Sequence, residues 1–143
     1  MILLSIHPEY VAKIKVGLKR FEFRKRIPCK SIENDYVAIY CTSPVCKVVG
    51  YFKVGCVLVG SPSKIWTRTA RHAGVSRKDF DMYFLGRTSA YALSIRQICW
   101  LRNPISIYRL RKSSVAPQSF IYLTDEQAKK ILACSSCTEW GGV

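Results

Sequence analysis

Carboxylates are scarce in this chain: nine Asp and Glu stand against 23 Lys and Arg, a formal net charge of +14 over 143 residues. A field of that sign does not recruit cationic partners; it attracts polyanions, because phosphates release condensed counterions when Lys and Arg replace them. Long apolar runs are missing too. No stretch approaches the roughly 20 residues needed to cross a bilayer, and no basic helix with a broad apolar face marks a membrane surface as the partner. The start Met1-Ile2-Leu3-Leu4-Ser5-Ile6-His7-Pro8 has no basic leader and no small-residue cleavage site, which leads to the expectation of a soluble, unprocessed, cytoplasmic protein.

Histidine is rarer still, with His7 and His72 alone, both distant in sequence from the cysteines. Cys134 and Cys137 have zinc-ligand spacing and Cys41 and Cys46 could add two donors, but the paired spacings of a structural zinc site are incomplete, so neither metal nor cofactor is expected. The seven cysteines form an odd set, mostly inside apolar strand-like runs where cysteine acts as a small hydrophobe; a reducing compartment suits them. Linkers, repeats and low-complexity tracts are absent as well, leaving one continuous unit. About half of the residues are apolar, and a chain of this length buries roughly two-thirds of its unfolded surface without disulfides.

The basic residues are clustered. Eight lie between Lys13 and Lys30, near Glu9 and Glu22, and eleven between Lys64 and Lys112, with Asp79 and Asp81. Nucleic acid is therefore the expected partner.

Ile2 to Ile6, apolar nearly throughout, reads as a central strand. Pro8 and Gly17 bracket a short helix with Val11, Ile14 and Leu18 on one side. A strand from Arg20 to Lys25 follows. Asn34-Asp35 turns into a strand over 36–40, and Thr42-Ser43-Pro44 turns into a long one from Val45 to Val59, in which Gly50 and Gly55 mark bulges or bends. Ser61-Pro62 starts a helix ending at Gly74, and Ser76 with Asp79 starts a second, through Phe80, Tyr83 and Phe84 to Gly86. Thr88 to Ile95 alternates as a strand, Ile98 to Leu101 adds another, and Asn103-Pro104 opens a loop carrying Arg109, Arg111 and Lys112. A last strand, Ile121 to Leu123, precedes a helix capped by Thr124. Strands bent at glycines with helices between them imply an α+β fold: a small mixed β-barrel of five or six strands, flanking helices and an inserted helical pair. The barrel is expected over residues 1–124, with 125–143 as a C-terminal helix and short tail of the same domain.

The most informative segment runs from Gly17 to Arg26. Side chains alternate along a strand, so Phe21 and Phe23 face a core while Glu22 and Arg24 share the other face, with Lys19 at the elbow where helix becomes strand. An ammonium, a carboxylate and a guanidinium converging there make either a solvated face or a polar site for a base or nucleoside.

Gly17-x-Lys19-x-x-Glu22-x-Arg24 resembles the signature of ASCH domains, the ASC-1 homology members of the PUA-like superfamily. The likeness continues through Tyr40-Cys41-Thr42-Ser43-Pro44, Val49-Gly50-Tyr51-Phe52 and Pro117-Gln118-Ser119-Phe120-Ile121-Tyr122-Leu123. The resemblance implies a barrel whose cleft has Lys19, Glu22 and Arg24 on its floor and the Thr42-Ser43-Pro44 turn as a wall. It also implies binding of RNA or another nucleic acid, with a modified base or nucleoside as a candidate guest. Some small ASCH proteins are hydrolases: amidohydrolases acting on N4-acetylcytidine, and ribonucleases. In those amidohydrolases the lysine activates a threonine three residues later; here that position is Glu22, and the absence of glutamate between Glu33 and Glu126 leaves Asp79 or Asp81 as the further acid. Glu22 is expected to pair with Lys19 or Arg24 and hold the lysine charged.

The resulting expectation is a nucleic-acid-binding module. Lys19, Arg24 and Arg26 would take phosphates or a base edge, with Thr42, Ser43, Pro44, Gln118 and Ser119 on the walls, and Tyr40, Tyr51 or Trp66 would offer a stacking face. The first alternative is a hydrolase in which Lys19, Glu22 and Arg24 are catalytic. The second is a DNA-binding transcription regulator, because Ala70 to Lys78 resembles the turn of a helix-turn-helix, with residues 62–86 forming its two helices. The sequence leaves the oligomeric state open.

Overall fold

Residues 1–113 and 115–136 are described by the computed structural model of the chain. Cys137, and with it the spacing of the Cys134/Cys137 pair, lies outside the described residues. The strands are β1 (Ile2–Ile6), β2 (Phe21–Arg24), β3 (Tyr36–Cys41), β4 (Lys47–Gly60), β5 (Ala90–Ser106), β6 (Phe120–Tyr122) and the short β7 (Ser135–Ser136). The helices are α1 (Pro8–Lys15), α2 (Pro62–Thr69), α3 (Arg77–Tyr83), α4 (Ile107–Arg111) and α5 (Asp125–Ala133), with a 3-10 turn at Ala70–His72. One mixed sheet in the order β2-β5-β4-β3-β1-β6 curls into an open barrel, with β7 added beside β5. β1 and β3 are parallel, and the other pairs are antiparallel.

The nearly continuous apolar composition of β1 follows from burial on both faces. Ile2, Leu4 and Ile6 join Ile14 of α1, Ile39, Phe52 and Leu93 inside the barrel. Leu3 points the other way, into a cluster closed by Ile107 and Leu110 of α4 and Ile131 of α5. A third cluster joins Phe23 of β2 to Ile65 of α2 and to Phe80 and Phe84 of the α3 segment. The α2–α3 insertion between β4 and β5 is thereby fixed against the sheet.

The barrel turns on irregularities in its two longest strands. The β4–β5 register shifts between Val48 and Gly50, between Tyr51 and Lys53, and between Val54 and Val57. Gly50 allows a close approach of backbone to backbone: a Cβ there would lie 2.5 Å from the Cys99 carbonyl oxygen and 2.9 Å from the Trp100 ring.

Three expectations are corrected. The segments 88–95 and 98–101 are parts of one strand, β5, because Gln97 takes a left-handed φ of 42° and the strand bends there without breaking. Asn103-Pro104 does not open a loop: Pro104 falls in the shift between the Gly50↔Trp100 and Val48↔Ile105 pairs, where it takes no ladder hydrogen bond away. Arg109 and Arg111 are helical instead, on α4, whose N-cap Ser106 accepts from the Arg109 N–H and whose Ile107 and Leu110 are buried, with Lys112 as the left-handed C-cap. Leu18 does not belong to the apolar face of α1. The helix stops at Lys15, Gly17 turns the chain at φ 87°, and Leu18 is exposed.

Candidate functional site

β2 carries out the expected division of faces. Phe23 packs edge-on to Phe80 with ring centroids 5.1 Å apart and borders the cleft beside Lys19, while Glu22 and Arg24 face that cleft, of about 740 Å³, bounded by β1, α1, α3 and the residues before β6. That volume lies within the range of small-molecule pockets.

Lys19 reaches the floor from the elbow, with 1% of its surface exposed. Its ammonium donates to the Ala73 carbonyl at 3.1 Å, lies 3.8 Å from Glu22 Oε2 and sits 4.6 Å from the centroid of the Phe23 ring. Lys13 donates in parallel to the Gly74 carbonyl at 3.0 Å. These two bonds clamp the joint of the helical insertion onto the α1–β2 elbow. Gly74 is required at that joint: its φ is 67°, and a Cβ would lie 2.4 Å from Lys19 Cβ.

Arg24 is fully engaged. Its Nη1 lies 3.2 Å from Glu22 Oε1 and donates to the Ser5 carbonyl at 3.3 Å, and its Nη2 donates to the Ser119 carbonyl at 2.6 Å. Ser5 is in β1 and Ser119 immediately precedes β6, so one guanidinium ties the free edge strand β2 across the mouth of the barrel to the opposite edge. The positive charge of the cleft therefore divides in two. Lys19 and Arg24 are buried and occupied by protein acceptors, whereas Lys25, Arg26 and Arg87, which also line the cleft, are exposed. Arg87 is oriented by donating to the Lys25 carbonyl at 3.1 Å.

Thr42 reaches the cleft, with Oγ1 3.3 Å from His7 Nδ1, because its N–H continues the β1 ladder by donating to the Ile6 carbonyl at 3.1 Å. Ser43 and Pro44 are exposed beyond that turn and outside the cleft lining. Gln118 and Ser119 line it as expected. Tyr40 and Tyr51 are 2% and 5% exposed inside the second core cluster and have no free face to offer. Trp66 packs on Phe80 and under the Arg77 guanidinium, 5.3 Å from the ring centroid. Tyr10, Tyr83 and Phe80 supply the aromatic walls, with His7 and Asp79 among the polar ones. The sequence contained a signal for the first two: Tyr10 lies four residues before the core residue Ile14 on one helix, and Tyr83 three after Phe80 on another. Asp81 turns outward and pairs with Arg77 at 3.0 Å. Among the described residues no group of three His, Cys, Asp or Glu converges to hold a metal ion, and no helix among them is long and apolar enough to cross a membrane.

Burial holds the Lys19 pKa below the ordinary lysine value of 10.5; Glu22 pulls the other way, and Lys13 and Arg24 add to the lowering. Glu22 pairs with both Lys19 and Arg24 as expected, but desolvation outweighs the ion pair in setting the direction of the lysine's shift. The pH consequence has a definite sign. Between the lowered folded value and 10.5 the unfolded chain binds the lysine proton and the folded chain does not, so this group adds stability as pH rises through that window. Tyr10 and Tyr83, whose pKa values burial raises, act oppositely near and above pH 10. Subtracting a Lys19→Met stability profile from that of the wild type, by urea titration across the alkaline range, is expected to leave a rising difference. A flat one would mean the ammonium is as well solvated folded as unfolded.

A barrel of this topology with a basic cleft on β2 defines the class, a small PUA-like domain, and the comparisons are specific. The model of the ASCH domain family matches residues 4–100. An ASCH domain-containing ribonuclease of Zymomonas mobilis is 32% identical over 139 residues, covering 95% of this chain and 93% of that protein. The crystal structure of ASCH from Zymomonas mobilis superimposes with a TM-score of 0.83 at 30% identity, covering 96% of this chain and 97% of the other. The large ribosomal subunit protein uL22 of Ureaplasma parvum is 35% identical over 125 residues, 85% of this chain, which spans 39% of that longer protein. The chain belongs to the ASCH domain family.

Proposed function

We propose that this protein binds RNA as a single strand, with one base taken into the cleft between β2, α1 and α3 and the backbone held by the exposed cations at its rim. The observation that carries this reading is the composition of the cleft: Lys25, Arg26 and Arg87 stand exposed beside walls of Tyr10 and Tyr83. Single-stranded recognition combines those two elements, a cationic groove for phosphates and π-faces for bases. The Zymomonas mobilis relative, by its name a ribonuclease, supports RNA as the ligand.

Labelled oligoribonucleotides titrated at several salt concentrations test it. Affinity is expected to fall linearly on a log–log plot, and Arg26→Ala is expected to weaken all sequences alike and to reduce the slope by about 0.7, one single-strand phosphate contact. Retention that is indifferent to salt would overturn the reading. So would duplex DNA binding that Arg77→Ala and Lys78→Ala destroy while Arg26→Ala leaves it untouched, the outcome expected of a regulator acting through residues 62–86.

One observation favours hydrolysis as a second reading for the same cleft: a buried lysine with a lowered pKa lies on its floor. Such a group serves as a proton acceptor nearer neutrality than an ordinary lysine. Product formation from the same oligonucleotides, or from N4-acetylcytidine, that Lys19→Met abolishes while retention survives would establish it. Glu22 stands at the position that carries threonine in the amidohydrolases and lies within 4 Å of both Lys19 and Arg24, so RNA is the substrate favoured over the nucleoside.

A further inference from the structure

A second hollow, about 490 Å³, adjoins the cleft beneath the turn from α3 to β5, and the two share Lys25, Arg26 and Arg87. The rest of its lining includes Ile27, Gly86, Thr88, Ser89 and Tyr91 and contains no carboxylate. Three full positive charges and two exposed hydroxyls thus meet without an internal counterion: Lys25, Arg26 and Arg87 form no ion pair among the described residues. The backbone is held open at the same place. Gly86 adopts φ 75°, and a Cβ there would find nothing within 4 Å. Arg87 is held in place on both sides, its N–H donating to the Phe84 carbonyl at 2.9 Å and its Nη2 to the Lys25 carbonyl at 3.1 Å. A guanidinium fixed in this way is a prepared phosphate donor that orders little on binding.

We propose that this second hollow seats the phosphate group of the nucleotide adjoining the one in the cleft, so that the ligand is a strand running across Lys25, Arg26 and Arg87 and a free nucleoside is only a fragment of it. The inference rests on the nucleic-acid reading of the cleft and adds to it a direction of travel, from the β1–β2 cleft out past the α3–β5 turn. Thr88 and Ser89 are the discriminating positions, since they line the second hollow and not the first.

The test compares a nucleoside, its monophosphate, the dinucleotide and a tetranucleotide as ligands of the wild-type protein and of Thr88→Asp and Ser89→Asp. Both sites are exposed, so the folded state is expected to survive, and matching thermal melts check this. The dinucleotide is expected to bind the wild type at least about tenfold more tightly than the nucleoside, with a steeper salt dependence. Each aspartate is expected to remove most of that chain-length advantage by repelling the phosphate. A dinucleotide that binds no better than the nucleoside overturns the second site and leaves the cleft reading standing. An advantage that both aspartate variants keep also overturns it, since the phosphate then lies elsewhere. If none of the four ligands binds, the cleft reading itself fails.

Discussion

Replacing Arg24 by alanine is expected to lower the unfolding free energy by about 3–5 kcal/mol, the cost of removing one partner from a buried charge pair. Arg24 and Glu22 expose 9% and 8% of their side chains, and with the guanidinium gone Glu22 keeps only the Lys19 ammonium at 3.8 Å. The Ser5 and Ser119 carbonyls each lose the guanidinium donor in the same step, leaving the Ser119 carbonyl with the Ser5 N–H at 3.4 Å. The sequence casts Arg24 as a phosphate ligand whose loss weakens binding alone. Its hydrogen bonds make it the tie across the barrel mouth, so the denaturation midpoint should fall before any affinity is measured. Arg24→Lys is expected to recover only part of the loss, because an ammonium is a point charge that does not reach three acceptors in a plane. Urea unfolding of the two variants decides the matter, and an Arg24→Ala midpoint equal to that of the wild type would show that the edges hold without the guanidinium.

An effect of similar size, about 3–5 kcal/mol, is expected for Phe80→Ala. Phe80 is 2% exposed and lies at the centre of an aromatic group, with ring centroids 5.1 Å from Phe23, 5.0 Å from Trp66 and 4.8 Å from Phe84. α3 has only seven residues, too few to persist as a helix without tertiary packing. Losing Phe80 should therefore free α3 as well as weaken the core, taking Asp79 and Tyr83 from the cleft wall and uncovering Lys19. Proteolysis within residues 62–86 is expected to accelerate, and Phe80→Leu, which keeps most of the volume, to restore resistance. Equal cleavage rates for Phe80→Ala and the wild type would show that the insertion is held by other contacts.

Much of the fold was legible because local signals and tertiary need agree. β1 is apolar at successive positions because both its faces are covered, Pro8 and Gly17 bracket α1 by their backbone preferences, and Ser61, Ser76 and Thr124 cap helices with their own side chains. Legibility failed where tertiary pairing overrides a local breaker. Gln97 and Pro104 look like interruptions, and β5 absorbs them as a bend and a gap in its ladder. At the site, Glu22 and Arg24 were readable from period-two alternation and Lys19 from its place at the elbow between helix and strand. Their burial was not: Lys19 is covered by Ala73 and Gly74, more than fifty residues away in sequence, and Arg24 is engaged by the Ser119 carbonyl, 95 residues away. The same holds for Tyr83 and Arg87, which enter the cleft only because the insertion folds back on β2.

β1 and β3 lie side by side in the same direction, Ile2 abreast of Val37 and Ile6 abreast of Cys41. A parallel pair demands a long crossover, and this one contains α1, the elbow and all of β2. The floor of the cleft is thus a tethered span, moored at both ends to the middle of the sheet and laced to β5 along only four residue pairs. What keeps that span taut is its side chains: Lys13 and Lys19 fasten the elbow to Gly74 and Ala73, and Arg24 fastens β2 to Ser5 and Ser119, so a guest meets a floor that is already braced.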